Sequence, residues 1–192
     1  MPDWLAQQRT EVAAERILDA ADKLFTRQDA ASVGMNDIAT AAGCSRATLY
    51  RYFENREVLY TAYVHRETHR VFGEISEQLA GVTDPEERLV SGMLAAVARV
   101  RETPALASWF ANTNRAIGGD MAEQSEVIAA LAQGFLATFG DTSGVEARAR
   151  WVIRILVSLM LFPGRDAADE RAMLESFVVP VVGVKQPSKR VP

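Results

Sequence analysis

The feature that most constrains the fold is residues 34–56, GMNDIATAAGCSRATLYRYFENR, which predict two short helices around a tight turn. Gly43 stands where the first helix must end, because glycine adopts the left-handed C-cap conformation at little cost. Ser45 is a good N-cap for the second helix, since its hydroxyl can satisfy a free backbone N–H group. Leu49 and Phe53 lie four residues apart and are expected to point inward. The first helix carries an apolar stripe of Met35, Ile38, Ala39 and Ala42.

The rest of the second short helix is chemically suited to nucleic acid. Its remaining positions are Arg46, Ala47, Thr48, Tyr50, Arg51 and Tyr52. Arginine can pair with guanine edges in the major groove, and Thr, Tyr and Arg side chains can hydrogen-bond phosphates. Residues 45–56 contain three arginines and a single acid, Glu54. The pattern therefore favours a DNA-binding hairpin, although a helical hairpin with a merely solvated polar face has a similar turn.

Residues 12–60 as a whole resemble the N-terminal DNA-binding segment of the TetR family of bacterial repressors. The resemblance implies DNA contacts at seven positions. The second helix supplies an early contact at Asn36. Base contacts come from positions that correspond to Arg46, Ala47 and Tyr50, and phosphate contacts from those that correspond to Thr48, Tyr52 and Arg56.

Two of the matching positions depart from the family pattern. Arg56 replaces a Lys at the start of the fourth helix, which keeps the charge and adds a forked donor set. Gly34 stands where the family usually has Thr, so one hydroxyl contact to phosphate is absent. Because a glycine can still cap a helix, the departure removes one contact and leaves the fold unaffected.

Composition and periodicity predict an all-α protein. The 192 residues are 48% hydrophobic and 24% charged, which is enough apolar sequence for a substantial core. The net charge of −4 is unfavourable for non-specific DNA binding, but affinity depends on the local charge at the phosphates. Apolar positions recur at helical spacing and no strand alternation is found.

The expected organisation is a three-helix helix-turn-helix DNA-binding domain over residues 1–54, a helical ligand-binding and dimerisation domain over 55–184, and a tail over 185–192. Residues 1–10 are expected to form a loose arm before the first helix at 11–28, and a long fourth helix from Asn55 to Leu79 joins the two domains. The later helices are predicted at 85–102, 104–115, 120–139, 145–162 and 167–179, with Gly118-Gly119 in a loop.

The C-terminal half is expected to hold a largely apolar ligand pocket, because its inward positions are mostly uncharged. The candidate lining residues are Met93, Trp109, Phe110 and Phe135. A second interpretation of the Trp109 region is that it forms core aromatics beside a polar helix end. In the pocket interpretation, Asn112, Asn114 or Arg115 would bind the polar end of a ligand.

The penultimate helix is apolar nearly all round, so both of its sides must be covered. One side can be covered by its own bundle and the other by a second subunit in a homodimer. The candidate interface residues are Trp151, Ile155, Leu159, Phe162 and Phe177. The alternative is that this helix is simply the central helix of a single bundle.

Several other functions are disfavoured by the sequence. Cys44 is the sole cysteine, which excludes an internal disulfide and fits a reducing cytoplasm; it is expected to be a small buried hydrophobe in the hairpin. His65 and His69 are four apart on the fourth helix, but no third metal ligand is evident. There is no catalytic set, no cofactor motif and no segment long enough to span a bilayer.

The function that combines these features is a ligand-responsive regulator, expected to be a repressor that a hydrophobic or amphipathic molecule releases from a palindromic operator. Its expected partners are double-stranded operator DNA, a small-molecule effector and a second copy of the chain. The alternative is an all-α small-molecule-binding protein or enzyme without operator binding.

Overall fold

The computed structural model describes residues 4–111 and 117–183, and no strand occurs among them. The chain order is α1 (Trp4–Phe25), a 3-10 turn (Ala30–Ser32), α2 (Met35–Ala42), α3 (Arg46–Tyr52), α4 (Arg56–Gln78), α5 (Pro85–Glu102), α6 (Pro104–Ala107), α7 (Ile117–Gln124), α8 (Glu126–Ala137), α9 (Val145–Leu161), α10 (Ala167–Phe177) and α11 (Val179–Val182). The prediction of an all-α fold with a helix-turn-helix near the N-terminus is confirmed.

The chain forms two compact units. Unit 1 comprises Met1–Glu67 with Thr103–Ile117, and unit 2 comprises Thr68–Glu102 with Gly118–Pro192. The division falls inside α4, whereas the sequence suggested a functional boundary at residues 54 and 55. The first turns of α4 belong to unit 1 because their apolar side chains, such as Leu59 and Tyr63, are fully buried. The functional boundary remains a prediction.

The core of unit 1 is built around the apolar stripes of its helices. Val33, Ile38 and Leu49 are completely buried, and Phe25 is almost so. Aromatic rings close the core on the side of α4, where Phe25 meets Tyr60 and Tyr63 edge-on at centroid distances of 5.3 and 4.9 Å. Such contacts add specificity to the burial of large apolar surfaces.

The core of unit 2 joins α5, α8, α9, α10 and α11 through buried aliphatic side chains. Its members are Leu89, Val90, Met93, Val97, Leu136, Ala149, Val152, Leu159, Leu174, Val178 and Val182. These side chains lie at helical spacing along each element, which is the pattern expected of helices that share one core. This burial is what the predicted C-terminal bundle requires.

A charged clamp fastens three elements of unit 2. Arg101, in the last turn of α5, binds Glu170 of α10 through two contacts of 3.0 and 2.7 Å and also donates to the carbonyl of Leu159 at 2.7 Å. Glu170 is buried and also accepts the N–H of Gly164 at 2.9 Å. The Arg101 guanidinium holds the pKa of Glu170 below its ordinary value. The carboxylate therefore has the partners that a buried charge needs.

Three expectations about helix boundaries are wrong. Helix α1 begins at Trp4, so the predicted loose arm over residues 1–10 is helical from Trp4 onward. The predicted helix at 120–139 is two helices, because the Ser125 hydroxyl caps α8 by accepting the N–H of Ile128 at 3.2 Å. Gly118 and Gly119 lie inside α7 instead of in a loop.

The predicted C-terminal helix is also divided. Helix α10 ends at Phe177, and Pro180 lies in the first turn of the short α11, where a missing N–H costs nothing. Of the predicted helix at 104–115, the described residues 104–111 form α6 followed by turns to Phe110. The expectations for the tail at 185–192 and for Asn112, Asn114 and Arg115 lie outside the described residues.

Candidate DNA-binding surface

The turn between α2 and α3 has the geometry that the sequence predicted. Gly43 has φ = 68° in the left-handed region, and its N–H returns to the carbonyl oxygens of Ala39 and Thr40. The Ser45 hydroxyl caps α3 by accepting the N–H of Thr48 at 3.1 Å. Both cap predictions are confirmed. The caps fix the exit of α2 and the entry of α3, so the orientation of the second short helix is set by local interactions.

Helix α3 presents one face to solvent and the other to the core. Leu49 is completely buried, while Arg46, Ala47 and Tyr50 are exposed. The Arg46 guanidinium lies 5.7 Å from the centroid of the Tyr50 ring, so the two side chains at i and i+4 support each other. The three positions predicted to contact bases therefore share the exposed face of a short, capped helix.

The predicted phosphate-contacting residues of α3 flank this face. The Thr48 and Ser45 hydroxyls lie 2.9 Å apart, which ties Thr48 to the cap. Tyr52 is half-buried, and the Arg51 guanidinium lies over its ring at 5.3 Å. Arg51 is exposed and is a further candidate for a DNA contact, which was not among the predicted positions. The signal for it was present in the sequence as a cation within the second helix.

The start of α2 is stabilised without the hydroxyl that the TetR pattern usually provides. Gly34 is the N-cap residue, and the Asp37 carboxylate reaches back to accept its N–H at 3.0 Å. Asn36 is exposed in the first turn of α2, where it is free of the core. The expectation that Gly34 caps the helix is met, because Asp37 supplies the side-chain half of the capping interaction.

Arg56 has contacts different from those expected of a phosphate-binding residue. It is half-buried, and its Nη2 atom donates to the carbonyl oxygens of Ala31 at 2.6 Å and Ala30 at 3.3 Å. Its guanidinium stacks over the Tyr60 ring at 4.8 Å. At least part of the forked donor set is therefore used inside the protein.

The four predicted ligand-contacting residues do not form one cluster within either unit. Trp109 and Phe110 belong to unit 1, where the buried Trp109 ring packs against Phe25 and Tyr60 and stacks on Tyr63. Met93 and Phe135 belong to unit 2, where Met93 is buried in the core and Phe135 packs against it. The aromatic surroundings of Trp109 match the interpretation of core aromatics that the sequence also allowed.

The predicted dimer residues are divided between the surface and the core. Phe162 and Phe177 are 67% and 69% exposed, and Trp151 is also exposed. Leu159 is buried in the core of unit 2, and Ile155 packs against that core. Helix α9 therefore directs part of the predicted stripe toward the core of unit 2, and the dimer interface stays a prediction. Met173 and Val181 are further exposed apolar side chains on α10 and α11.

Cys44 and the two histidines are the other residues that the sequence analysis considered as possible sites. Cys44 is half-buried, so it is less enclosed than the sequence suggested. His65 is half-buried and His69 exposed, and the described residues contain no group of three or more potential metal ligands. Within the described part of the chain, no helix has the length and apolar character needed to cross a membrane.

Comparison with known proteins relates the whole chain to one family. The family model "Bacterial regulatory proteins, tetR family" matches residues 17–63, which include α2, α3 and the start of α4. A helix-turn-helix-type transcriptional regulator of Mycobacterium tuberculosis is 61% identical over 182 residues, which cover 94% of this chain and 90% of that protein.

Solved structures with the same fold are more distant in sequence. RolR in complex with resorcinol superposes with a TM-score of 0.74 at 18% identity, over 93% of this chain and 91% of that one. The TetR family repressor AlkX from Dietzia, implicated in biodegradation of n-alkanes, superposes with a TM-score of 0.64 at 24% identity, over 88% and 94%.

The hairpin geometry, the family match and the close relative agree, and the relatives are regulators instead of enzymes. The chain therefore belongs to the TetR family of bacterial transcriptional regulators.

Proposed function

We propose that this regulator is a repressor that binds a palindromic operator as a homodimer and is released by a hydrophobic or amphipathic small molecule. The observation that carries the proposal is the capped helix α3, which exposes Arg46, Ala47 and Tyr50 on one face. A helix of this size, presented by a helix-turn-helix, fits the major groove, where Arg can read guanine. Asn36, Thr48 and Tyr52 are the proposed supporting contacts.

The repressor role is supported by the description of the Dietzia relative as a repressor. The class of effector is supported by the apolar core of unit 2 and by RolR, which was crystallised with resorcinol, a small aromatic molecule. Within unit 2, the proposed pocket residues are Met93 and Phe135. The regulator is expected to act in the cytoplasm, where the operator and effector meet.

The proposed response follows from linkage. An effector can release the operator only if it binds the DNA-incompetent state more tightly than the DNA-bound state, and the coupling is then reciprocal. In the proposed mechanism, a ligand among the C-terminal helices changes the tilt of α4. The spacing of the two recognition helices in the dimer then no longer matches the operator.

A gel shift with DNA upstream of the protein's own gene and of the neighbouring genes tests operator binding. The expected result is a shifted complex with labelled DNA. Unlabelled specific DNA should displace the labelled DNA from it, whereas an excess of unrelated DNA should not. Arg46→Ala should lose this complex, whereas Arg165→Ala, which changes an exposed arginine of unit 2, should retain it. A parent protein that shifts specific and unrelated DNA equally would contradict the proposal.

The effector class is tested in two steps on the full chain. A thermal-shift screen of aromatic and aliphatic small molecules first identifies compounds that raise the melting temperature, since binding to the native state stabilises it. Each compound is then added to the gel shift. Compounds that stabilise the protein and release DNA support an inducer; compounds that tighten the complex would instead identify a corepressor.

A further inference from the structure

The connection between α1 and α2 directs several backbone carbonyl groups toward the first turns of α4. The Tyr60 hydroxyl lies 2.6 Å from the carbonyl oxygen of Ala30 and 2.7 Å from that of Val33. Arg56 donates to the carbonyl oxygens of Ala31 and Ala30. Two side chains one turn apart on α4 therefore contact three carbonyl oxygens of a single short connection.

Two of the three carbonyl groups belong to residues that are shielded from water. Ala30 and Val33 are completely buried, and buried carbonyl oxygens need a hydrogen-bond partner. The Arg56 guanidinium lies 4.8 Å over the Tyr60 ring, so each side chain restrains the other. Burial raises the pKa of Tyr60 above its ordinary value, so its hydroxyl keeps the proton that it donates.

The connection leads directly into the DNA-binding hairpin. Val33 ends the 3-10 turn, Gly34 is the N-cap of α2, and α2 is joined to α3 through the Gly43 turn. The carbonyl contacts thus join the chain immediately before α2 to the first turns of α4. A displacement of the α1–α2 connection would therefore be passed on to α3 through the capped turn between α2 and α3.

We propose that Arg56 and Tyr60 are positioning residues, which set the orientation of the recognition helix by holding the α1–α2 connection on α4, and that Arg56 does not act as a phosphate contact. This inference rests on the proposed DNA-binding function. These contacts use the planar guanidinium of Arg56 and the hydroxyl-bearing ring of Tyr60, four residues later on α4. Lysine at position 56 has the same charge but lacks the planar fork and the stacking surface.

The two roles of Arg56 make opposite predictions for conservative variants. For a phosphate contact, Arg56→Lys retains binding, and Arg56→Ala weakens specific and non-specific DNA alike and reduces the salt slope by about 0.9. For a positioning residue, Arg56→Lys and Tyr60→Phe both lose operator affinity, by roughly tenfold or more if one hydrogen bond to a charged or buried group is lost. Affinity for unrelated DNA and the salt slope stay at the parent values.

The experiment measures the affinity of full-length Arg56→Lys, Arg56→Ala and Tyr60→Phe for operator and for unrelated DNA at several salt concentrations. Arg165→Lys, which alters an exposed arginine of unit 2, is the matched control and should behave as the parent. Loss of operator affinity in both Arg56→Lys and Tyr60→Phe, with parent salt slopes, supports the proposal. Parent-like operator binding by Arg56→Lys overturns it.

Amide hydrogen exchange of the same proteins without DNA gives a separate readout. The N–H groups of Ser32 and Val33 bond within the connection, to the carbonyl oxygens of Asp29 and Ala30. Faster exchange at these two amides in Arg56→Lys and Tyr60→Phe, with unchanged exchange in α9, supports the clamp even if the parent binds no operator. Unchanged exchange at both amides in Arg56→Lys and Tyr60→Phe overturns the proposal. This test does not depend on whether Arg56→Ala folds.

Discussion

Two arginines ten residues apart show how placement decides the role of a side chain. Arg46 lies in the first turn of α3, is exposed and lies over the Tyr50 ring. Arg56 lies in the first turn of α4, is half-buried and donates to backbone carbonyl oxygens. Arg46 is therefore accessible to an external partner, whereas Arg56 donates through at least one of its nitrogens to the protein itself.

Arg46→Ala should weaken operator affinity by about 1–3 kcal/mol, the usual value of one bidentate contact to a base, and should reduce operator selectivity. Affinity for unrelated DNA should fall much less, because phosphate contacts made elsewhere remain. Fluorescence anisotropy with operator and scrambled duplexes at one salt concentration measures both. Equal affinity of the variant and the parent for the operator would show that Arg46 does not read a base.

Glu170→Gln should alter the acid dependence of stability. The folded pKa of Glu170 lies below its ordinary value of 4.5 because of the Arg101 guanidinium, so the charged form stabilises the native state. This contribution is complete above about pH 4.5 and disappears as the pH falls through the lower folded pKa. Urea unfolding of parent and variant at several pH values should give a difference that shrinks toward acid. A difference that stays constant from pH 7 to pH 3 would contradict the assignment.

At the scale of elements, the short α6 and the turns after it supply a ring to a core far away in sequence. Trp109 is 3% exposed, with Phe25, Tyr60 and Tyr63 at centroid distances of 5.2, 5.0 and 5.6 Å. The core of unit 1 thus depends on a segment that follows α5 in the chain. A fragment that ends before residue 103 would expose three aromatic rings.

Trp109→Ala should destabilise the protein by about 3–5 kcal/mol, since removal of a buried Trp leaves a large cavity among rigid rings. Trp109→Phe keeps most of the apolar volume and should cost considerably less. Urea unfolding followed by circular dichroism measures both variants. Similar, small losses for the two would mean that Trp109 is not part of the core.

At the scale of the whole molecule, the exposed apolar side chains are concentrated at the C-terminal helices. Phe162, Phe177, Trp151, Met173 and Val181 lie on α9, α10, α11 or directly after α9. Three of the five are aromatic, and exposed aromatic side chains are typical of interaction surfaces. The proposed occupant is the same surface of a second copy, because two symmetric half-sites on DNA call for a two-fold dimer.

Phe177→Asp should convert the dimer into a monomer at micromolar concentration, because it places a charge in an apolar interface. Val12→Asp is the matched control, since Val12 is 65% exposed on α1 in unit 1. Sedimentation velocity of parent, variant and control measures the effect. A parent that sediments as a monomer would refute the interface and leave the mechanism with two half-sites unsupported.

Features that depend on neighbours in sequence were predictable from the sequence. The end of α2 at Gly43 and the start of α3 at Ser45 follow from single residues and their adjacent backbone groups. The same local chemistry operates at Ser125, where a cap divides a predicted helix in two. Boundaries without a strong local signal, such as the start of α1, differ from the prediction.

The all-α fold, the capped hairpin and the exposed residues of α3 were predictable from the sequence, because they depend on periodicity and on contacts within four residues. The inward contacts of Arg56, the place of Trp109 in unit 1 and the burial of Leu159 in the core of unit 2 were not predictable. In each of these cases the partners are far away along the chain. Their approach depends on the packing of whole helices, to which hydrophobic periodicity along one segment is blind.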